Sequence, residues 1–212
     1  MTRRHELAGV IAGAGFASGD RLVVGHWARS PIGPFSDVMW AAPAGQRTLI
    51  VADTRVGEFI SAVYRFDELA VTDLSVRGDG RHLEAVGPDF RLVLDAGRGW
   101  PIPVRRPAWF TRFVEGPVAK VAMDVRTYGV SPTGVREWYR ADRWHPVAAG
   151  SLSIGGEDRG ALTRVWPPAG FGFSEPPQRP SITRVRPLLV DPSGALDALV
   201  DRLTAAPPSP PH

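Results

Sequence analysis

No cysteine occurs in the 212 residues, so no disulfide staples the fold and no thiolate is available to bind zinc or attack a substrate. That absence fits a reducing compartment, and a cytoplasmic location is the expectation. Lysine is nearly absent too: Lys120 is the only one, and every other basic residue is arginine. Arginine-rich, lysine-poor usage beside abundant Ala, Gly and Pro is the imprint of a GC-rich genome. The net charge is only +3, and no RNP pattern, helix-turn-helix or zinc knuckle accompanies it, so nucleic acid is not an expected partner. No apolar run reaches the roughly 18 residues of a membrane-spanning helix, and no secretory leader is read at the start. The five histidines show no H-x-H or H-x-x-x-H spacing, which leaves metal chemistry unsupported. There is no Walker loop, no G-x-G-x-x-G opening a helix after a strand, and no G-x-S-x-G elbow. No cofactor is therefore expected.

What is present is the composition of a folded, turn-rich protein. Hydrophobic residues make up 43% and charged residues 22%, which excludes wholesale disorder, while 23 glycines and 21 prolines argue against a long helical bundle. Leu7, Val10 and Ile11 have helical spacing and predict a short N-terminal helix within 3–14. Residues 21–28, 37–41 and 47–52 are short, Val/Ile/Leu/Trp-rich runs punctuated by Pro and Gly, and read as an antiparallel meander. The period then changes. Val56, Phe59, Ile60 and Val63 stand at i, i+3, i+4 and i+7 behind Asp53 or Thr54 as N-cap, predicting a helix over 54–64. β-branched content and Gly57 leave a strand as the alternative there.

Three more strands are read at 68–77, 81–86 and 90–95, the first two joined by a tight turn at Gly78-Asp79-Gly80. The proline-rich stretch 97–107 reads as an irregular crossing loop, followed by two short helical pieces in 108–123. The second half returns to strands at 125–130, 135–147, 151–154 and 181–189, with a Gly/Pro-rich stretch between 155 and 180. Asp191 and Pro192 open a final helix whose stripe is Leu196, Leu199, Val200 and Leu203. The expected fold is mainly β: one domain over 1–204, an antiparallel barrel or strongly curved sheet with a few short helices and a C-terminal helix. Closure removes the exposed edges that ten strands would otherwise present. A disordered Pro-rich tail over 205–212 completes it.

Gly25-His26-Trp27, on the first strong strand, resembles the Gly-x-Trp signature of lipocalins and related calycins. The resemblance covers those three residues, and the later Arg and Thr-Asp-Tyr signatures of the family have no counterpart at matching positions. It implies that Trp27 packs across the closed end of a barrel whose interior holds a small apolar ligand.

The richest polar cluster lies around 126–145. Alternation places Glu137 and Tyr139 on one face of their strand, where they could act as base and hydrogen-bond donor, with Arg136 on the opposite face. Structural Arg–Glu pairing is the commoner fate of such residues. With Trp27 and Tyr128, these three form the expected ligand-binding set for a small, partly apolar molecule in the barrel. Two alternatives stand beside that reading. One is a small-molecule enzyme, using Glu137 and Tyr139 for acid–base chemistry or Lys120 as a Schiff-base nucleophile. The lysine is similar in kind to that of acetoacetate decarboxylases, but it lacks that family's adjacent lysine pair, being flanked by Ala119 and Val121. On a helix it would sit four residues from Asp124, as a surface ion pair does. The other alternative is an interaction module built on the loop 98–112, where Arg98, Arg105, Arg106 and Arg112 interleave with Trp100, Trp109 and Phe110.

Overall fold

A computed structural model describes residues 2–101, 128–172 and 176–205. Lys120, most of the Arg/Trp loop, the helical pieces expected in 108–123 and nearly all of the Pro-rich tail lie outside those residues. The described chain is mainly β, a strongly curled half-barrel with two helices. Its elements in order are β1 (His5–Glu6), β2 (Ala8–Phe16), β3 (Arg21–Arg29), β4 (Phe35–Ala41), β5 (Arg47–Val51), α1 (Thr54–Ser61), β6 (Glu68–Val71), β7 (Ser75–Gly78), β8 (His82–Val86), β9 (Phe90–Ala96) and β10 (Trp100–Pro101). After the undescribed stretch come β11 (Tyr128–Val130), β12 (Arg136–Trp138), β13 (Ala141–Ile154), β14 (Glu157–Asp158), β15 (Leu162–Thr163), β16 (Ser181–Val185), β17 (Leu188–Val190) and α2 (Ala195–Ala205).

The large sheet runs β6-β5-β4-β3-β2-β16-β13-β9-β8-β7, and a smaller one runs β1-β17-β12-β11. Every pairing is antiparallel except β5 with β6, because α1 intervenes and carries the chain back to the same end. Asp53 caps α1 through its side chain, as its sequence position predicts, and the helix ends at Ser61, short of the expected 64.

Several expectations are corrected. The segment 3–14 is strand rather than helix. Gly9, Gly13 and Gly15 weaken helix there and let neighbouring backbone approach closely: a Cβ on Gly9 would lie 2.2 Å from the His26 carbonyl oxygen. Residues 68–77 and 181–189 are each two strands rather than one. Residues 135–147 are likewise divided, between β12 and β13, while 151–154 is the far end of β13 and not a separate strand. The proline-rich stretch from 97 also contains one short regular piece, β10, paired with β13.

The divisions within 135–147 and 181–189 share one cause, a corner in the sheet. β1 and β2 are interrupted at Leu7, β12 and β13 at Tyr139–Arg140, and β16 and β17 at Arg186–Pro187. The ladder resumes on either side, with Trp138 opposite Leu188 and Ala141 opposite Val185. Pro187 has no N–H to give the ladder, and a register shift between Ala141 and Arg143 adds twist. The small sheet is thus the folded-over extension of the large one, three neighbouring strands turning together.

Alternation gives the large sheet two buried faces. On one, Ala12, Ala14, Leu22, Val24, Val38, Ile50 and Ile182 pack with Leu83, Ala85, Leu92, Leu94 and Leu152 from the β8–β9 side. On the other, Trp27, Met39, Leu49 and Val51 pack with Phe59 and Ile60 of α1 and Leu196, Val200 and Leu203 of α2. This second face lies inside the corner.

Candidate functional site

Inside the corner lies a cavity of about 160 Å³. The corner residues Leu7, Tyr139 and Pro187 line it, as do Gly25, Trp27 and Asp37 from the large sheet and Glu137 from the small one. The β2–β3–β4 register explains the large-sheet set: Ile11, Gly25 and Asp37 are directly opposed across neighbouring strands. Gly25 is required by this arrangement. A Cβ there would lie 2.3 Å from Asp37 Oδ1 and 2.4 Å from Trp27 Nε1, so only glycine leaves room for the carboxyl to meet the indole. The indole N–H of Trp27 donates to Asp37 Oδ1 at 3.0 Å.

Two of the chain's three tyrosines converge on Glu137. The Tyr64 hydroxyl donates to Glu137 Oε1 at 2.6 Å, and its oxygen lies 3.1 Å from the Tyr139 hydroxyl. Tyr64 reaches the site because α1 ends just before it, and Gly172 gives its ring space, since a Cβ on that glycine would lie 2.6 Å from Tyr64 Cδ1. Phe171, Gly172, Pro176 and Pro177 close one side, the role that a proline-stiffened aromatic loop can fill.

Electrostatics mark the two acids. Glu137 and Asp37 are each 1% exposed. Burial pushes Glu137 up to about 7 against the hydrogen bonds of Tyr64 and Tyr139, which favour its ionised form. Burial likewise pushes Asp37 up to about 7, opposed by the Trp27 N–H. Both tyrosine hydroxyls are held well above their ordinary range, first by burial and then by the neighbouring acids, with Asp37 adding to the effect on Tyr139. The hydroxyls therefore remain protonated donors, while the acids change state near neutral pH. Glu137 Oε2 and Asp37 Oδ2 have no hydrogen-bond partner among the described residues.

Of the residues singled out from sequence, Trp27, Glu137 and Tyr139 come together at this cavity. Arg136 and Tyr128 do not. Arg136 is exposed on the outer face of β12, and Tyr128 is 48% exposed, its ring tilted against that of Trp138 with centroids 4.9 Å apart. Alternation is the reason: Arg136 and Trp138 flank Glu137 and point away from it. Sequence reasoning missed Asp37 and Tyr64. Asp37 had a signal, an acid in the otherwise apolar run Val38-Met39-Trp40-Ala41 and opposite a glycine. Tyr64 had none, since it lies beyond its helix and meets Glu137 from 73 positions away. Among the described residues, no group of three or more His, Asp or Glu could hold a metal ion, and no helix is long and apolar enough to cross a membrane.

No family model matches the chain, and no curated protein matches it. Among solved structures, a crystal structure of acetoacetate decarboxylase from Legionella pneumophila subsp. pneumophila str. Philadelphia 1 is similar with a TM-score of 0.35 and 7% identity, covering 89% of this chain and 82% of that one. A likeness of that size decides nothing about the site.

Proposed function

We propose that the protein binds a small, mostly apolar molecule inside the corner of its sheet, with its polar end against Glu137, Tyr139 and Asp37. One observation carries the reading: two buried acids each keep an oxygen without a partner at the wall of an apolar cavity. An unsatisfied buried polar atom costs about 1–3 kcal/mol, so a fold that keeps two at one cavity is explained by an occupant that satisfies them. Apolar walls with a few placed polar groups are the ordinary make-up of a ligand site. The size of the cavity supports it too, because a dry space of about 150 Å³ accommodates a benzene-sized molecule. The lipocalin-like Gly25-His26-Trp27 implies the same kind of occupant.

The test is a thermal-shift screen of small aromatic and aliphatic compounds, followed by calorimetry on the hits. Glu137→Gln and Tyr139→Phe are expected to weaken binding about tenfold, or 1.4 kcal/mol, while Arg136→Ala leaves it unchanged. Hits whose affinity ignores Glu137→Gln and Tyr139→Phe, but falls with Arg136→Ala, would place the site on the outer face instead. A second reading, acid–base catalysis by Glu137 with Tyr139, is favoured by the near-neutral proton affinity of Glu137. For the Schiff-base form of the enzyme reading, borohydride trapping with carbonyl compounds is decisive. Adduct formation that disappears in Lys120→Ala would establish it.

A further inference from the structure

The polar inventory of the cavity narrows the chemistry of its occupant. No arginine, lysine or histidine lines it among the described residues. His26 bonds Ser36 on the other face of the sheet, and His145 is held at the Gly97 carbonyl. The groups that face the space are the two carboxyls, the Tyr64 and Tyr139 hydroxyls, the Trp144 indole, and Ser181 and Thr183 on β16. Two carboxyl oxygens lack a hydrogen-bond partner there among the described residues, from opposite walls of the corner: Asp37 Oδ2 on the large sheet and Glu137 Oε2 on the small one. An anionic ligand would meet these acids with no cation among the described residues to offset them. A purely apolar ligand would leave both oxygens unsatisfied.

Resting on the ligand-binding reading above, we infer that the occupant is a small apolar amine, its ammonium group held between Asp37 and Glu137 and its body against the aromatic walls. A primary ammonium offers three N–H donors, enough for both open oxygens with one to spare. Hydrogen bonds to charged groups are also stronger than neutral ones. The aromatic residues Trp27, Phe59 and Tyr64 in the cavity lining can add attraction for a desolvated cation. Binding draws the acids into their ionised form, so each carboxylic proton displaced leaves for solvent as the ammonium enters. The rival arrangement is the converse, in which the acids keep their protons and donate to a neutral acceptor. The two differ in the sign of their pH dependence.

Three probes of matched size separate them: benzylamine, benzyl alcohol and benzoate, titrated calorimetrically into the full-length protein at about pH 5.5 and about pH 8. The expected result is benzylamine at least about tenfold tighter than benzyl alcohol at the higher pH, with the advantage shrinking at the lower. Benzoate should not bind. At about pH 7, where displaced protons are available, the heat of benzylamine binding should vary with the ionisation enthalpy of the buffer, as proton release requires. Glu137→Gln should weaken benzylamine at least about tenfold more than benzyl alcohol, so that the amine preference shrinks. Asp37→Asn should do the same, a second and independently folded variant. Benzyl alcohol or benzoate binding as tightly as the amine at about pH 8 would overturn the amine assignment while leaving the binding site in place. Failure of all three probes to bind would overturn the site itself.

Discussion

Asp20 and Asp37 are both buried, 0% and 1% exposed, and each receives a tryptophan N–H: Trp40 to Asp20 at 2.8 Å, Trp27 to Asp37 at 3.0 Å. There the similarity ends. Asp20 also accepts from the Ser18 hydroxyl at 2.6 Å and from Arg159 Nε at 2.8 Å, so both of its oxygens are used. Burial pushes Asp20 up, but those three hydrogen bonds and the Arg159 charge outweigh it and hold the carboxyl below its ordinary value. Among the described residues Asp37 has one side-chain donor and no cation, and burial prevails, pushing its pKa up to about 7. A buried acid with a full set of partners is a strut for the loops at that end of the sheet. One left with an open oxygen at a cavity is a group held ready for something else.

The largest test of this contrast is Asp20→Ala. It strips the acceptor from Trp40, Ser18 and Arg159 together, and urea unfolding at neutral pH should show a loss of about 3 kcal/mol. The wild-type contribution of Asp20 is present above the unfolded carboxyl pKa and is lost as the pH falls through its lowered native value. The variant should therefore lose less stability on acidification than the parent. A loss below about 0.5 kcal/mol would mean that Asp20 is not a strut.

Asp37→Asn should behave in the opposite sense. A carboxyl whose native pKa is raised stabilises the fold fully below its unfolded pKa, and that contribution disappears as the pH rises through about 7. Wild-type stability should thus decline between about pH 4 and about pH 7, with Glu137 acting in the same direction. Asn has no proton to lose, so Asp37→Asn should match or exceed the parent by about 1–2 kcal/mol at about pH 8 and give a flatter profile. Unfolding curves at several pH values check this. Profiles that run parallel for variant and parent would end the contrast with Asp20.

A steric effect of similar size is expected from Gly25→Ala. Its methyl group displaces the Asp37 carboxyl from the Trp27 indole, at a cost of about 1–3 kcal/mol by overpacking and with weakened binding of any cavity ligand. Gly13→Ala, on the same face, meets only Pro176 Cβ at 3.2 Å and should cost less than about 1 kcal/mol. Denaturant midpoints for the pair order the two. Equal costs would mean that the space beside Asp37 is not specifically reserved.

The β character, α1 with its Asp53 cap, the turn at 78–80 and the stripe of α2 were legible from the chain, because period and turn chemistry are local properties. Alternation also placed Glu137 and Arg136 on opposite sides of their strand, whereas Tyr139 stands just past the end of β12. The N-terminal strand was not legible, since the spacing of Leu7, Val10 and Ile11 satisfies a helix equally well, and only the close approach of β3 at Gly9 selects the extended form. The corner was hidden for a similar reason. Pro187 signals a break in one strand, but the breaks at Leu7 and Tyr139 carry no signal of their own and align only when the three strands are side by side.

The sequence by itself determined which residues alternate, where turns fall and which side chains can carry a proton. Tertiary structure alone decided that Asp37, Tyr64 and Glu137, far apart in the chain, share one cavity while Tyr128 is exposed. The physical reason is range. Periodicity is set by bonds between near neighbours, whereas the proton affinity of an acid is set by how much water and how many partners the whole fold leaves around it.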